Sequence, residues 1–313
     1  MGKKGLLLAA IVFSTVSFAE GTSMQVPAND SQTSTSKSSG FLKQKQLEED
    51  TRITDLQIRA NAGSLSRYSG KFTLGYSGPS VDDLTQSNIP NPSGATGDFR
   101  SYVSAIIGMK YRMTSNDGIY VSGGMKTYVS PKTGDNQDIS DPTITYDHTY
   151  LFSPSVQGHT GVFASMVTNS VYRNYGETNG LGIQQDTKWN INGSRWVVGG
   201  EADFIGYVFN RGYDAAARDG NITDYYFNLI PSVEYKLTSN LNLSTSVLKK
   251  IAHYRKTNEA TTFDPRTNLW SGRVGVAWAV TRDIYLNPYI GYYPQAMTWS
   301  NTSIGFSGVV SVF

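Results

Sequence analysis

The 313-residue chain carries 27 basic and 25 acidic side chains, a net charge of +2. That balance offers neither the electrostatic footprint of a nucleic-acid binder nor a polybasic membrane patch. There is no cysteine, which excludes disulfides, thiolate metal sites and a lipid-modified N-terminal cysteine, while 31 glycines and 20 tyrosines suit strands, turns and interfacial belts better than helices.

Lys3 and Lys4 precede an apolar run over residues 5–18, and Ser17 and Ala19 stand at the small-residue positions of a cleavage site before Glu20. This is the pattern of a secretory signal peptide over residues 1–19. The run of about 14 residues is short of the roughly 20 that a spanning helix needs. Residues 20–62 read as a polar linker, expected in the periplasm. Residues 20–40 are rich in Ser, Thr, Gln and Asn and cannot bury enough apolar surface to order themselves. Within 41–60 the apolar positions are sparse (Phe41, Leu42, Leu47, Ile53, Leu56, Ile58), and a short helix is expected there. It could lie in the periplasm, plug a lumen or pair with another protein; the simpler reading is a solvated spacer.

From about residue 66 the apolar period becomes two. Strands are expected at 66–77, 101–113, 118–130, 146–157, 161–173, 181–191, 195–210, 222–237, 241–256, 267–281, 283–298 and 302–313. In 101–113, Val103, Ala105, Ile107, Met109, Tyr111 and Met113 share one face, and Ser104, Gly108, Lys110 and Arg112 the other. Three features favour a membrane barrel over a soluble sandwich. The segments are long, where soluble strands average about five or six residues. Short connections (114–117, 158–160, 192–193, 238–240, Arg282) alternate with longer ones (78–100, 131–145, 174–180, 211–221, 257–266, 299–301). Aromatics stand near both sets of strand ends on the apolar parity: Trp189, Trp196, Tyr111, Tyr235 and Trp278 near short turns, Tyr68, Tyr225 and Trp270 near long loops. The expected fold is all-β: a transmembrane, antiparallel, up-and-down β-barrel of about 12 strands over residues 63–313, preceded by the signal peptide and the polar segment. An even strand number puts both termini in the periplasm. Pro154, Pro231, Pro288 and Pro294 fall inside expected strands, where each removes a ladder donor, and Lys249 falls on an apolar parity.

The last strand, SIGFSGVVSVF (303–313), ends in Phe313. In this the chain resembles bacterial outer-membrane β-barrel proteins, which commonly finish on an aromatic residue. The resemblance implies that Phe313 is an assembly signal read by the barrel-assembly machinery, that the surrounding partner is outer-membrane lipid, and a porin-like role. The match departs from the family in phase: Ser307 and Ser311 share the parity of Phe313, whereas Ile304, Phe306, Val310 and Val312 do not. Either a bulge or an altered phase is expected there.

If the polar parity faces inward, the lumen carries Lys71, Lys110, Arg112, Lys126, Lys188, Lys236, Lys250 and Arg273, with Asp186, Glu201, Asp203 and Glu234. Lys71, Lys110, Arg112, Lys126, Lys188, Glu201, Asp203, Lys250 and Arg273 are the selectivity candidates. A charge on the lipid face costs about 2–4 kcal/mol at midplane, so these groups belong inside. A narrow channel for ions or small solutes with a slight anion preference follows. The alternatives are a structural or adhesive barrel with a plugged lumen, and a phospholipase-like enzyme. Against the enzyme, His148 and His253 have no serine two residues on, and His159 is expected in a short turn. No catalytic group, metal-ligand spacing, cofactor motif or nucleic-acid partner is indicated.

Overall fold

The structure, a computed structural model, describes residues 53–64, 66–92, 99–129, 136–210, 222–255 and 270–312. Twelve antiparallel strands close on themselves: β1 (Tyr68–Ser80), β2 (Tyr102–Arg112), β3 (Asp117–Tyr128), β4 (Gln137–Ser153), β5 (Val156–Met166), β6 (Glu177–Asn190), β7 (Trp196–Phe209), β8 (Ile222–Lys236), β9 (Leu241–Arg255), β10 (Ser271–Ala279), β11 (Ile284–Tyr292) and β12 (Ser303–Val312). Each pairs with its sequence neighbours, and β1 closes the ring on β12, from Gly70 opposite Val312 to Ser77 opposite Gly305. Closure leaves no edge strand, so the ladders satisfy the backbone without help from solvent.

The alternation sorts side chains by chemistry, inverted relative to a soluble protein. In β2, Val103, Ile107, Met109 and Tyr111 are exposed on the outer surface, while Lys110 and Arg112 are buried inside. In β7 and β8, Trp196, Val198, Phe204, Tyr225, Phe227, Leu229 and Val233 face out, and Glu234 is buried inside. An apolar skin over a polar interior is what lipid outside and water inside select. The short connections (113–116, 154–155, 191–195, 237–240, 280–283) gather at one end and the longer ones at the other. Gly193, at φ 71°, supplies the left-handed residue of the β6–β7 turn. Trp196 packs edge-on against Tyr235, their ring centroids 4.9 Å apart, beside that turn.

Several expected boundaries are corrected. β4 begins at Gln137, inside the stretch expected as a loop over 131–145. Between Ser122–Thr143 and Gly124–Ser140 the register shifts, so Asp141 and Pro142 both stand opposite Gly123. This bulge puts Ile139 and Ile144, five residues apart, on the same outer face and breaks the two-residue period. The next turn is at Pro154–Ser155, not 158–160, and β5 starts at Val156, so Gln157, Gly158 and His159 are strand residues. The strand expected at 161–173 ends at Met166, and a short helix α2 (Ser170–Asn174) follows.

The prolines divide. Pro154 and Pro294 lie in turns. Pro231 and Pro288 lie in strands, and the ladders step over them: β8–β9 passes from Leu229–Lys249 to Ser232–Ser246, and β10–β11 from Gly275–Tyr289 to Trp278–Leu286. Lys249 does face outward, with its ammonium 6.0 Å from the Trp270 ring at the long-loop end. The last strand needs no bulge between Ser303 and Val312 against β11. Ile304, Phe306 and Val310 share the outer face with Phe72 and Tyr76, and Ser307 and Ser311 face the lumen. Phe313 lies outside the described residues, as do the expected signal peptide and residues 20–52.

Inside the barrel lies a helix, α1 (Leu56–Ala62). The Asp55 side chain caps it by accepting from the Ile58 N–H at 2.9 Å, and Gly63, at φ 75°, ends it. Leu56 and Ala60, one turn apart, pack on Ala277 and Tyr285 of the inner wall.

Candidate functional site: the lumen

The lumen differs between its two halves. At the short-turn end, charge is paired and the helix is tied in. Gln157 receives the N–H groups of Thr54 and Asp55 on its carbonyl oxygen, both at 2.9 Å, and donates from Nε2 to Thr54 Oγ1 at 2.9 Å. Lys110 Nζ donates to Asp147 Oδ2 at 2.9 Å and to the Asn61 carbonyl at 3.3 Å. Arg112 donates to the Ser64 carbonyl at 2.7 Å. One small amide and two cations from the barrel wall thereby fix both ends of α1.

The same layer holds a chain of buried charge across neighbouring strands. His159 lies between two carboxylates, with Nε2 3.2 Å from Asp147 and Nδ1 3.4 Å from Asp186. Lys188 Nζ reaches Glu234 at 2.6 Å, and Asn242 donates to the other Glu234 oxygen at 2.8 Å. Such pairs add little net stability, but removing one partner strands the other at about 3–5 kcal/mol. They therefore fix geometry more than they strengthen the fold.

Toward the long loops the cations sit over rings. Lys126 Nζ lies 4.0 Å from the Tyr102 ring centroid and 4.8 Å from that of Tyr128. Lys250 lies 4.2 Å over Tyr226 and the Arg273 guanidinium 4.7 Å over Tyr289. In the short-turn half one further cation, Lys71, lies 5.3 Å from the Tyr120 ring. Glu201 and Asp203 project inward from β7, where Asn228 donates to Asp203 Oδ2 at 3.4 Å. A cavity of about 180 Å³ lies above α1, lined among others by Gln57, Asp186, Lys188, Glu201, Arg273, Tyr289 and Ser307.

The nine candidates thus share the inner face but not one environment. Lys110, Arg112 and Lys188 anchor the helix or pair with carboxylates. Lys71, Lys126, Lys250 and Arg273 rest over tyrosines. Sequence reasoning missed Asp147, Gln157 and His159. The turn expected at 158–160 removed His159 and set the end of its strand, and nothing in the local pattern marks Gln157 as the seat of a helix a hundred residues earlier.

No family model and no curated protein matches the sequence. Among solved structures, an outer-membrane channel from Pseudomonas putida F1 is similar at a TM-score of 0.53 and 11% identity, over 80% of this chain and 98% of that one. The NanC porin is similar at a TM-score of 0.43 and 8% identity, over 78% of this chain and all of that one. The first likeness places the chain in the outer-membrane β-barrel fold.

Proposed function

We propose that this barrel, exported to the outer membrane, is a narrow channel for ions and small solutes with a weak preference for anions, and that α1 forms its constriction. The observation that carries the reading is the division of the lumen. At the short-turn end Lys110 and Lys188 are neutralised by carboxylates and Arg112 is spent on the backbone after the helix. Toward the long loops, Lys126 and Arg273 lie over rings that leave their charge uncancelled. Positive charge along a confined aqueous path lowers the barrier for anions. Glu201 and Asp203 in the same half keep the preference small.

The barrel-assembly machinery, acting on the C-terminal strand, and periplasmic termini belong to the same proposal. Among the described residues, the two histidines that a hydrolase would need are otherwise engaged. His148 faces outward on Asp117, and His159 is locked between carboxylates. In planar bilayers under a salt gradient, the protein is expected to show small steps with a reversal potential displaced toward the anion. Changing Lys126 and Lys250 together to Glu should move it to the cation side. An unchanged reversal potential would show that these lysines do not border the path.

A further inference from the structure

Resting on that channel reading, we infer that the long-loop half of the lumen is a binding track for anionic carbohydrate, with pyranose faces on tyrosine rings and sugar carboxylates on the adjoining cations. The two halves of one wall supply the contrast. In the short-turn half, Lys110 and Lys188 are each met by a carboxylate, Asp147 and Glu234. Among the described residues, no carboxylate comes within ion-pair distance of Lys126 or Arg273. Rings stand there instead, and a ring holds a cation by its quadrupole without cancelling its charge.

Contacts between a cation and a tyrosine ring recur around the lumen. Tyr102 and Tyr128, their centroids 6.4 Å apart and nearly perpendicular, flank Lys126 at the long-loop ends of β2 and β3. Tyr226 carries Lys250 and lies 6.3 Å from Tyr207. Arg273 and Tyr289 border the cavity above α1. An inorganic anion needs the charge but gains nothing from the rings. A neutral sugar uses the ring faces but gains nothing from uncancelled cations. A sugar carrying a carboxylate uses both, because the axial C–H face of a pyranose is apolar and its rim is polar.

The test is calorimetric titration of the full-length protein in detergent with trimannuronate, maltotriose and sulfate, beside current blockade by the same solutes in bilayers. The expectation is at least about tenfold tighter binding of trimannuronate than of either control. Tyr128→Leu and Lys126→Gln should each weaken it severalfold, and Lys126→Arg should restore it. Equal binding of trimannuronate and maltotriose, or of trimannuronate and sulfate, overturns the inference, as does indifference to Tyr128→Leu. Ionic current without uronate binding overturns it alone. Uronate binding without any current supports the track and overturns the channel.

Discussion

Asp55 does two things that pull in opposite directions. Its carboxylate caps α1 through the Ile58 N–H, yet it lies buried inside the barrel, and burial raises the carboxyl above the usual carboxylate range while the charge of Lys188 opposes that rise. An acid with a raised folded pKa holds its proton more tightly in the seated state. Its contribution to seating is therefore greatest at low pH and is lost as the pH climbs through the raised value. Asp55→Asn keeps an acceptor for the cap and removes the buried charge. Amide exchange across 56–62 should be unchanged or slower at neutral pH, with its pH dependence flattened. Asp55→Ala loses the cap, about 1 kcal/mol, and exchange should quicken about fivefold. Equal acceleration in both variants would show that the charge, and not the acceptor, holds the helix.

Each strand divides its residues between two solvents, and that division is testable on a single element. Ala202 lies mid-strand in β7 on the outer face, between Val198 and Phe204 on the same side. Ala202→Arg should destabilise the folded barrel by about 2–4 kcal/mol in a denaturant titration from lipid vesicles, whereas Ala202→Leu should be tolerated. Equal tolerance of both would place this face away from hydrocarbon. Where such alternation is unbroken, as in β2, β7 and β8, strand positions were legible within a few residues. It failed where geometry departs from the two-residue period. The bulge at Asp141–Pro142 hid the first half of β4, and the tight turn at Pro154–Ser155 displaced the start of β5. His159 was lost from the candidate site with that turn. The seat of α1 was illegible for another reason: Gln157, Lys110 and Arg112 meet residues 54–64 only because the sheet closes, a contact that no local pattern encodes.

At the scale of the molecule, closure gives every strand two partners and turns the period-two pattern into an apolar cylinder around a polar lumen. Within that lumen α1 is held by one amide and two cations against an apolar strip of the wall, where the proposal places the constriction. The helix belongs to the segment preceding β1 and not to the sheet, so its seat can be loosened without opening the ring. Single-channel conductance of the unaltered protein and of Gln157→Ala, under the same salt and voltage, addresses this most directly. The account predicts small steps for the first, and larger or longer openings for the second at unchanged barrel stability. Silence from both proteins at every voltage, with folded barrels in the bilayer, would contradict it.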